Sequence, residues 1–282
     1  MQLLRQMLPS AALAAAVAMT ILFVFARWWK SASRCAGAIA IGAGYIAGHV
    51  LAAGWSPFPP RSATHWLFWF AVIGIIAAVV DALVRPKGTV RLVIWAIVCT
   101  TACRLILQPK FSYAWSAAEG WLWVFAIALG VVALTCGLDL IERRPVGPAT
   151  LFSITTVLGA GTCLTLMLSG SLLLGRLACI LTAIAAACFL LIIVLPAPFH
   201  PSGAAAPLSL ICAGLWLSGF FYAELPAASA VLLAIAPALA LLPRGGKSHS
   251  RWLELACRTG FVAVPVVVGV LLAFHASPPL ED

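Results

Sequence analysis

The stretch Cys35-AGAIAIGAGYIAGHVLAAG-Trp55-SPFPPRSATHWLFW-Phe70 decides what kind of protein this is. Cys35 to Gly54 is an unbroken run of apolar and small residues with one imidazole, His49, set about a turn and a half inside its end. At 1.5 Å per residue such a run is about 30 Å long as a helix, the thickness of a bilayer's hydrocarbon core. It carries a Gly44-xxx-Gly48 step, the spacing that lets a second helix approach closely. A stiff aromatic and proline connector, Trp55 to Arg61, then leads to His65 at the mouth of the next apolar run.

The pattern repeats from end to end. Of 282 residues 63% are hydrophobic and only 9% charged, and the mean hydropathy is +1.10. A soluble domain of this size carries about 25% charged residues, so there is too little polar surface here to face water. Unpaired backbone amides are costly in lipid, and the runs lack the alternation of barrel strands, so they are expected to be helices. The fold class is therefore all-α, a polytopic transmembrane bundle forming a single membrane domain over residues 1–282. Ten spans are expected, over residues 8–26, 35–54, 66–83, 90–107, 120–140, 149–168, 172–195, 207–223, 226–242 and 256–275. The 207–242 hairpin, joined only by Glu224 and Leu225, reads either as two short spans or as a re-entrant pair.

Charge placement orients the bundle. The net charge of +9 would suggest nucleic acid in a soluble domain, but the basic residues sit in short loops beside apolar helices, where anionic headgroups attract them. Twelve of the 17 Lys and Arg fall on the odd-numbered connections and five on the other side. The positive-inside bias then puts both termini outside the cytoplasm, by default across a bacterial inner membrane. The stronger positive flank follows the first run rather than preceding it, the reverse of a cleavable signal peptide. Trp55, Trp66, Trp69, Trp115, Trp121 and Trp123 form a heavy outer aromatic belt, with Trp28, Trp29 and Trp252 at the inner interface.

Candidate chemistry is sparse. His49, His65, Glu119, Glu224 and His275, with Tyr45, Tyr113 and Tyr222, map to the outer third and form the candidate ligand-binding or gating set, since ionisable groups at membrane depth are costly. Span six is rich in hydroxyls, and Thr155, Thr162 and Thr165 are candidate path-lining residues; the same hydroxyls equally suit close helix packing. Pro237 and Pro265 interrupt the last two spans, as in many transporters. Arg27-xx-Lys30-Ser-x-Ser-Arg34 is echoed by Arg244-xx-Lys247-Ser-x-Ser-Arg251, a candidate pair of lipid-headgroup clamps. Near the inner interface Asp81 and Arg85 are spaced to pair on one helix face, and Arg91 and Arg104 lie close enough to helix ends to snorkel. The nine cysteines lie in or beside apolar runs without a CxxC, so neither a disulfide framework nor a zinc site is read, and no cofactor is indicated. No HExxH, Walker or GxSxG motif occurs, and no charged residue sits at the midplane of a span.

Three functional classes remain. The first is a permease for a small solute or lipid-like substrate. The second is a non-catalytic accessory or scaffold subunit of a larger membrane complex. The third, ranked last because a non-enzymatic role is favoured, is a membrane enzyme using the outer His and Glu set. Membrane lipids with anionic headgroups, and other membrane subunits, are the expected partners.

Overall fold

The computed structural model describes residues 2–28, 33–60, 62–86, 88–144, 147–194, 201–242 and 250–276. Lys30, Arg61, Arg244 and Lys247, named above as loop cations, and Trp29 lie outside them. The described chain is all-helical: α1 (Gln2–Arg27), α2 (Ser33–Ala53), α3 (Ala63–Val84), α4 (Gly88–Ile106), α5 (Gln108–Tyr113), α6 (Ala117–Glu142), α7 (Gly147–Leu168), α8 (Leu172–Val194), α9 (Ala205–Tyr222), α10 (Ala227–Leu239) and α11 (Arg251–Ala276). Nine of the described helices are long and apolar enough to cross a membrane, which makes this a multi-pass membrane bundle.

Two of the eleven depart from the apolar runs of the sequence. The loop after the fourth span holds the short helix α5, with Pro109 in its first turn, where a missing amide costs nothing. The run 226–242 yields a helix of only 13 residues, about 20 Å long. Its regular ladder ends beyond Pro237, where Ala240 and Leu241 turn back to bond Pro237 and Ala238. The strand of chain nevertheless reaches the far end of its neighbours, because Arg144 donates to Leu241 O and Arg258 to Ala240 O.

Local chemistry starts and stops the helices. Ser62 and Ser116 accept the His65 and Glu119 amides at 3.4 and 3.3 Å, capping α3 and α6. Arg85 terminates α3 in a left-handed conformation (φ 49°), its amide bonded to Asp81 O, and Pro86 prevents continuation. This geometry is one reason the expected Asp81 to Arg85 pairing gives way to another partner for Asp81, described below.

α9 is the centre post: 83% of its span is buried, against 22% for α11 at the periphery. Around it lie two apolar clusters. The larger joins α1, α2, α7, α8 and the inner faces of α10 and α11; the smaller joins α3, α4 and α6. Gly44 and Gly48 form the packing notch expected of them. A Cβ at Gly44 would lie 2.8 Å from Ala14 O, and one at Gly48 would lie 2.6 Å from Ile180 Cγ2, so α2 wedges between α1 and α8.

The ends of the bundle differ. One, the basic end, gathers Arg27, Arg34, Asp81, Arg91, Asp139 to Arg144, Glu254 and Arg258. The other, the aromatic end, includes a packed cluster in which Trp115 stacks on Trp123 and both meet Phe221 edge-on. The tryptophans of the expected outer belt pack on neighbouring aromatic rings yet stay accessible: Trp55 is 72%, Trp121 43% and Trp123 40% exposed, and Trp66, Trp69 and Trp115 are half-buried. Arg104 does not simply snorkel, for its guanidinium lies 3.9 Å from the Phe111 ring centroid.

Candidate functional site

The ionic centre of the described residues is Arg91. It stands in the first turn of α4, reaching between the last turns of α3 and α6. Its Nε and Nη2 each approach Asp81 at 2.8 Å, while Nη1 and Nη2 reach the two oxygens of Asp139 at 2.7 and 2.8 Å. Two carboxylates thus grip one guanidinium in paired, fork-like geometry. Arg143 adds a further contact to Asp139 at 2.9 Å from the exposed rim. The three central side chains are 18 to 24% exposed, so water screens them only partly.

Beside this network Glu142, 7% exposed, turns inward and accepts the amide of Ala204 at 3.0 Å. Its carboxylate sits at the start of α9, where free amides and the helix dipole favour an anion. The preceding residues are tied down as well: Ser202 Oγ donates to Arg34 O at 3.2 Å and Gly37 N donates to Ser202 O at 3.1 Å. Asp81, Arg91, Asp139 and Glu142 line a cavity of about 140 Å³ together with Trp95 and Thr135. At its floor the Thr135 and Ser209 hydroxyls are 2.8 Å apart, each within reach of a carbonyl of its own helix. Thr135 is seven residues before Glu142, so the polar surface penetrates about 10 Å from the basic end.

The residues singled out from sequence are placed as follows. His49 is fully buried, its Nε2 3.2 Å from Ser56 Oγ and its ring against Tyr45 and Phe68, while Nδ1 and the Tyr45 hydroxyl have no hydrogen-bond partner among the described residues. His65 is half-buried on the neighbouring α3. Glu119 is exposed in the first turn of α6, Glu224 is exposed in the α9 to α10 turn at φ 52°, and His275 is exposed near the end of α11. Among the described residues no three His, Cys, Asp or Glu side chains gather closely enough to hold a metal.

On α7 the Thr155 and Thr162 hydroxyls donate to the carbonyls four residues back, and Thr165 donates to Thr162 O. All three are buried, and Thr162 also accepts the Trp216 indole N–H at 3.0 Å. Their contacts are those of a packed helix face. Arg27, Arg34 and Arg251 are exposed at the basic end.

Sequence reasoning passed over Asp81, Arg91, Asp139 and Glu142 as a group. A signal was present: three of the chain's eight acidic residues fall within a turn of a helix end on one face of the membrane, with an arginine opening the helix between them. No protein-family model matches the chain, and no curated protein shows significant sequence similarity to it.

Proposed function

We propose that the chain is a permease of a bacterial inner membrane for a small cationic or neutral polar solute, which it receives through the cavity at the basic end. The observation that carries this reading is the charge balance of that cavity. Asp81, Asp139 and Glu142 face it with Arg91, an arrangement held partly out of water within about a turn of three helix ends. Ionisable groups partly desolvated inside a membrane bundle are functional candidates by default. The volume suits a few waters or a solute of a few heavy atoms, since one water needs only about 10 to 15 Å³ of such space. Even with Arg143 counted on the rim, three carboxylates stand against two guanidiniums, a balance that disfavours an anion.

Proteoliposomes test the reading. The purified protein is reconstituted, and stopped-flow swelling with glycerol and urea, and uptake of potassium and protons by trapped dyes, are compared with protein-free vesicles. Transport of at least one probe, abolished by Asp139→Asn, is the expected result. Vesicles as tight as the controls would end the proposal, and purification as a stoichiometric assembly with other chains would favour the subunit reading instead.

A further inference from the structure

A second, larger space opens sideways from the bundle between α6, α9 and α10. Its volume is about 650 Å³ and its lining is almost wholly apolar. Ala126, Gly130 and Gly137 of α6 face Ala230, Ala234 and Ala238 of α10, with Trp216 of α9 behind them. Small residues at this spacing ordinarily let two membrane helices close on each other. Here α6 and α10 close only at the basic end, where a Cβ at Gly137 would lie 3.4 Å from Leu241 Cδ1, while one at Gly130 would meet nothing within 4 Å.

From Trp123 to Gly137 the groove follows α6 for fourteen residues, about 21 Å, a length that one extended acyl chain spans. The charge at one end of the groove chooses the occupant.

The groove ends at Leu241, and there the charge is positive. Arg144 Nη2 lies 3.5 Å from Leu241 O, and Arg258 donates to Ala240 O while pairing with Glu254 at 2.9 Å. Carbonyls at the C-terminus of α10 thus hold two guanidiniums at one mouth of the groove. Burial, and then the neighbouring Arg258, push the Arg144 pKa below its ordinary value against the opposing pull of Glu254. Two guanidiniums thus face one carboxylate, and a second anion at that mouth offsets their repulsion.

We propose that this groove binds one acyl chain of an anionic phospholipid, with the headgroup phosphate at Arg144 and Arg258. The site stands whether the chain is a permease or a subunit. Basic pockets between membrane helices are suited to such headgroups, and the groove adds a slot for the tail.

The test uses detergent-purified protein, stripped of lipid by prolonged washing and incubated with equal amounts of phosphatidylglycerol and phosphatidylcholine of identical acyl chains. Native mass spectrometry counts the lipids retained. Phosphatidylglycerol should be retained in preference. Gly130→Leu, which points into open space, and Ala234→Phe, on the opposite wall, should each lose the bound lipid while keeping the parent's melting transition. Arg144→Gln should keep a lipid but lose about fivefold of the preference for the anionic headgroup. Equal retention of the two lipids by the parent, or parental lipid binding by both groove variants, would overturn the proposal. So would an unchanged preference in Arg144→Gln, or a groove variant that altered the number of protein chains in the particle.

Discussion

Arg91 opens α4, where the helix dipole disfavours a cation, and Asp81 and Asp139 close α3 and α6, where it disfavours anions. None of the three suits its own helix; they suit one another, because the three ends converge. Asp139→Asn removes one of the two grips on the guanidinium, leaving Arg91 to Asp81 alone and Arg143 without its carboxylate. Breaking a fully buried pair costs about 3 to 5 kcal/mol, and with about a fifth of each side chain in contact with solvent the expected loss is about 1 to 3 kcal/mol. Thermal melting in detergent checks it. Replacing Arg91, Asp81 and Asp139 together by apolar residues of similar size should restore most of that stability, since an absent network leaves no stranded charge. Transport should remain abolished, which separates the network's role in function from its role in folding. The hydroxyls of α7 offer a contrast. Thr162→Val strands the Trp216 indole N–H and should cost about 1 to 3 kcal/mol, while Thr155→Val removes only a bond within its own turn and should cost less than 1 kcal/mol, both read by melting.

At the scale of helices, the apolar runs were legible because length and hydropathy are properties of the chain taken in order. The 20-residue run ending at Gly54 could hardly be anything else, and its glycine step announced close packing. Which helices it would meet was not legible: Gly48 touches Ala14 and Ile180, far apart in sequence, and nothing in either run points to the other. The same limit hid the ionic site. Asp81 and Arg85 share a helix face on paper, but the chain turns left-handed at Arg85 and the carboxylate meets an arginine of the next helix. Pro237 shows a third kind of loss, for apolarity continues past it while the helix does not. The glycine notch supports a sharp prediction. Gly48→Leu drives side-chain atoms into Ile180 and Ala14 and should separate α2 from α1 and α8, costing more than the 1 to 3 kcal/mol typical of overpacking, about. Expression and a monodisperse elution profile read the outcome. The same change at Gly130, where the added atoms meet open groove, should leave both intact.

Across the whole molecule the two ends carry different chemistry, and the path of the chain ties that difference to sidedness. Arg176 of α8 reaches Ser10 of α1 at 3.3 Å, so the N-terminal part of α1 lies at the end where α8 begins and α7 finishes. Ser153 meets Thr259 at 2.9 Å, so α7 and α11 run the same way and α11 finishes at that end too. Ser229 bonds Gly269 O while Ala240 meets Arg258, so α10 runs against α11 and carries the chain back to the basic end before α11 begins. Both described termini therefore stand at the aromatic end, as an even number of crossings requires. Basic residues are retained on the cytoplasmic side, so the basic end should face the cytoplasm. Single cysteines placed at Trp55 and at Arg143 in a background with the nine native cysteines replaced read this directly. A membrane-impermeant maleimide added to intact cells should label the Trp55 position at once and the Arg143 position only after permeabilisation. The reverse pattern would place the cavity of Asp81, Arg91 and Asp139 on the outer side, where it would receive solute from outside the cell rather than from the cytoplasm. Labelling of both positions in intact cells would mean that the described ends do not lie across the membrane from one another, and the transport reading would lose its vestibule.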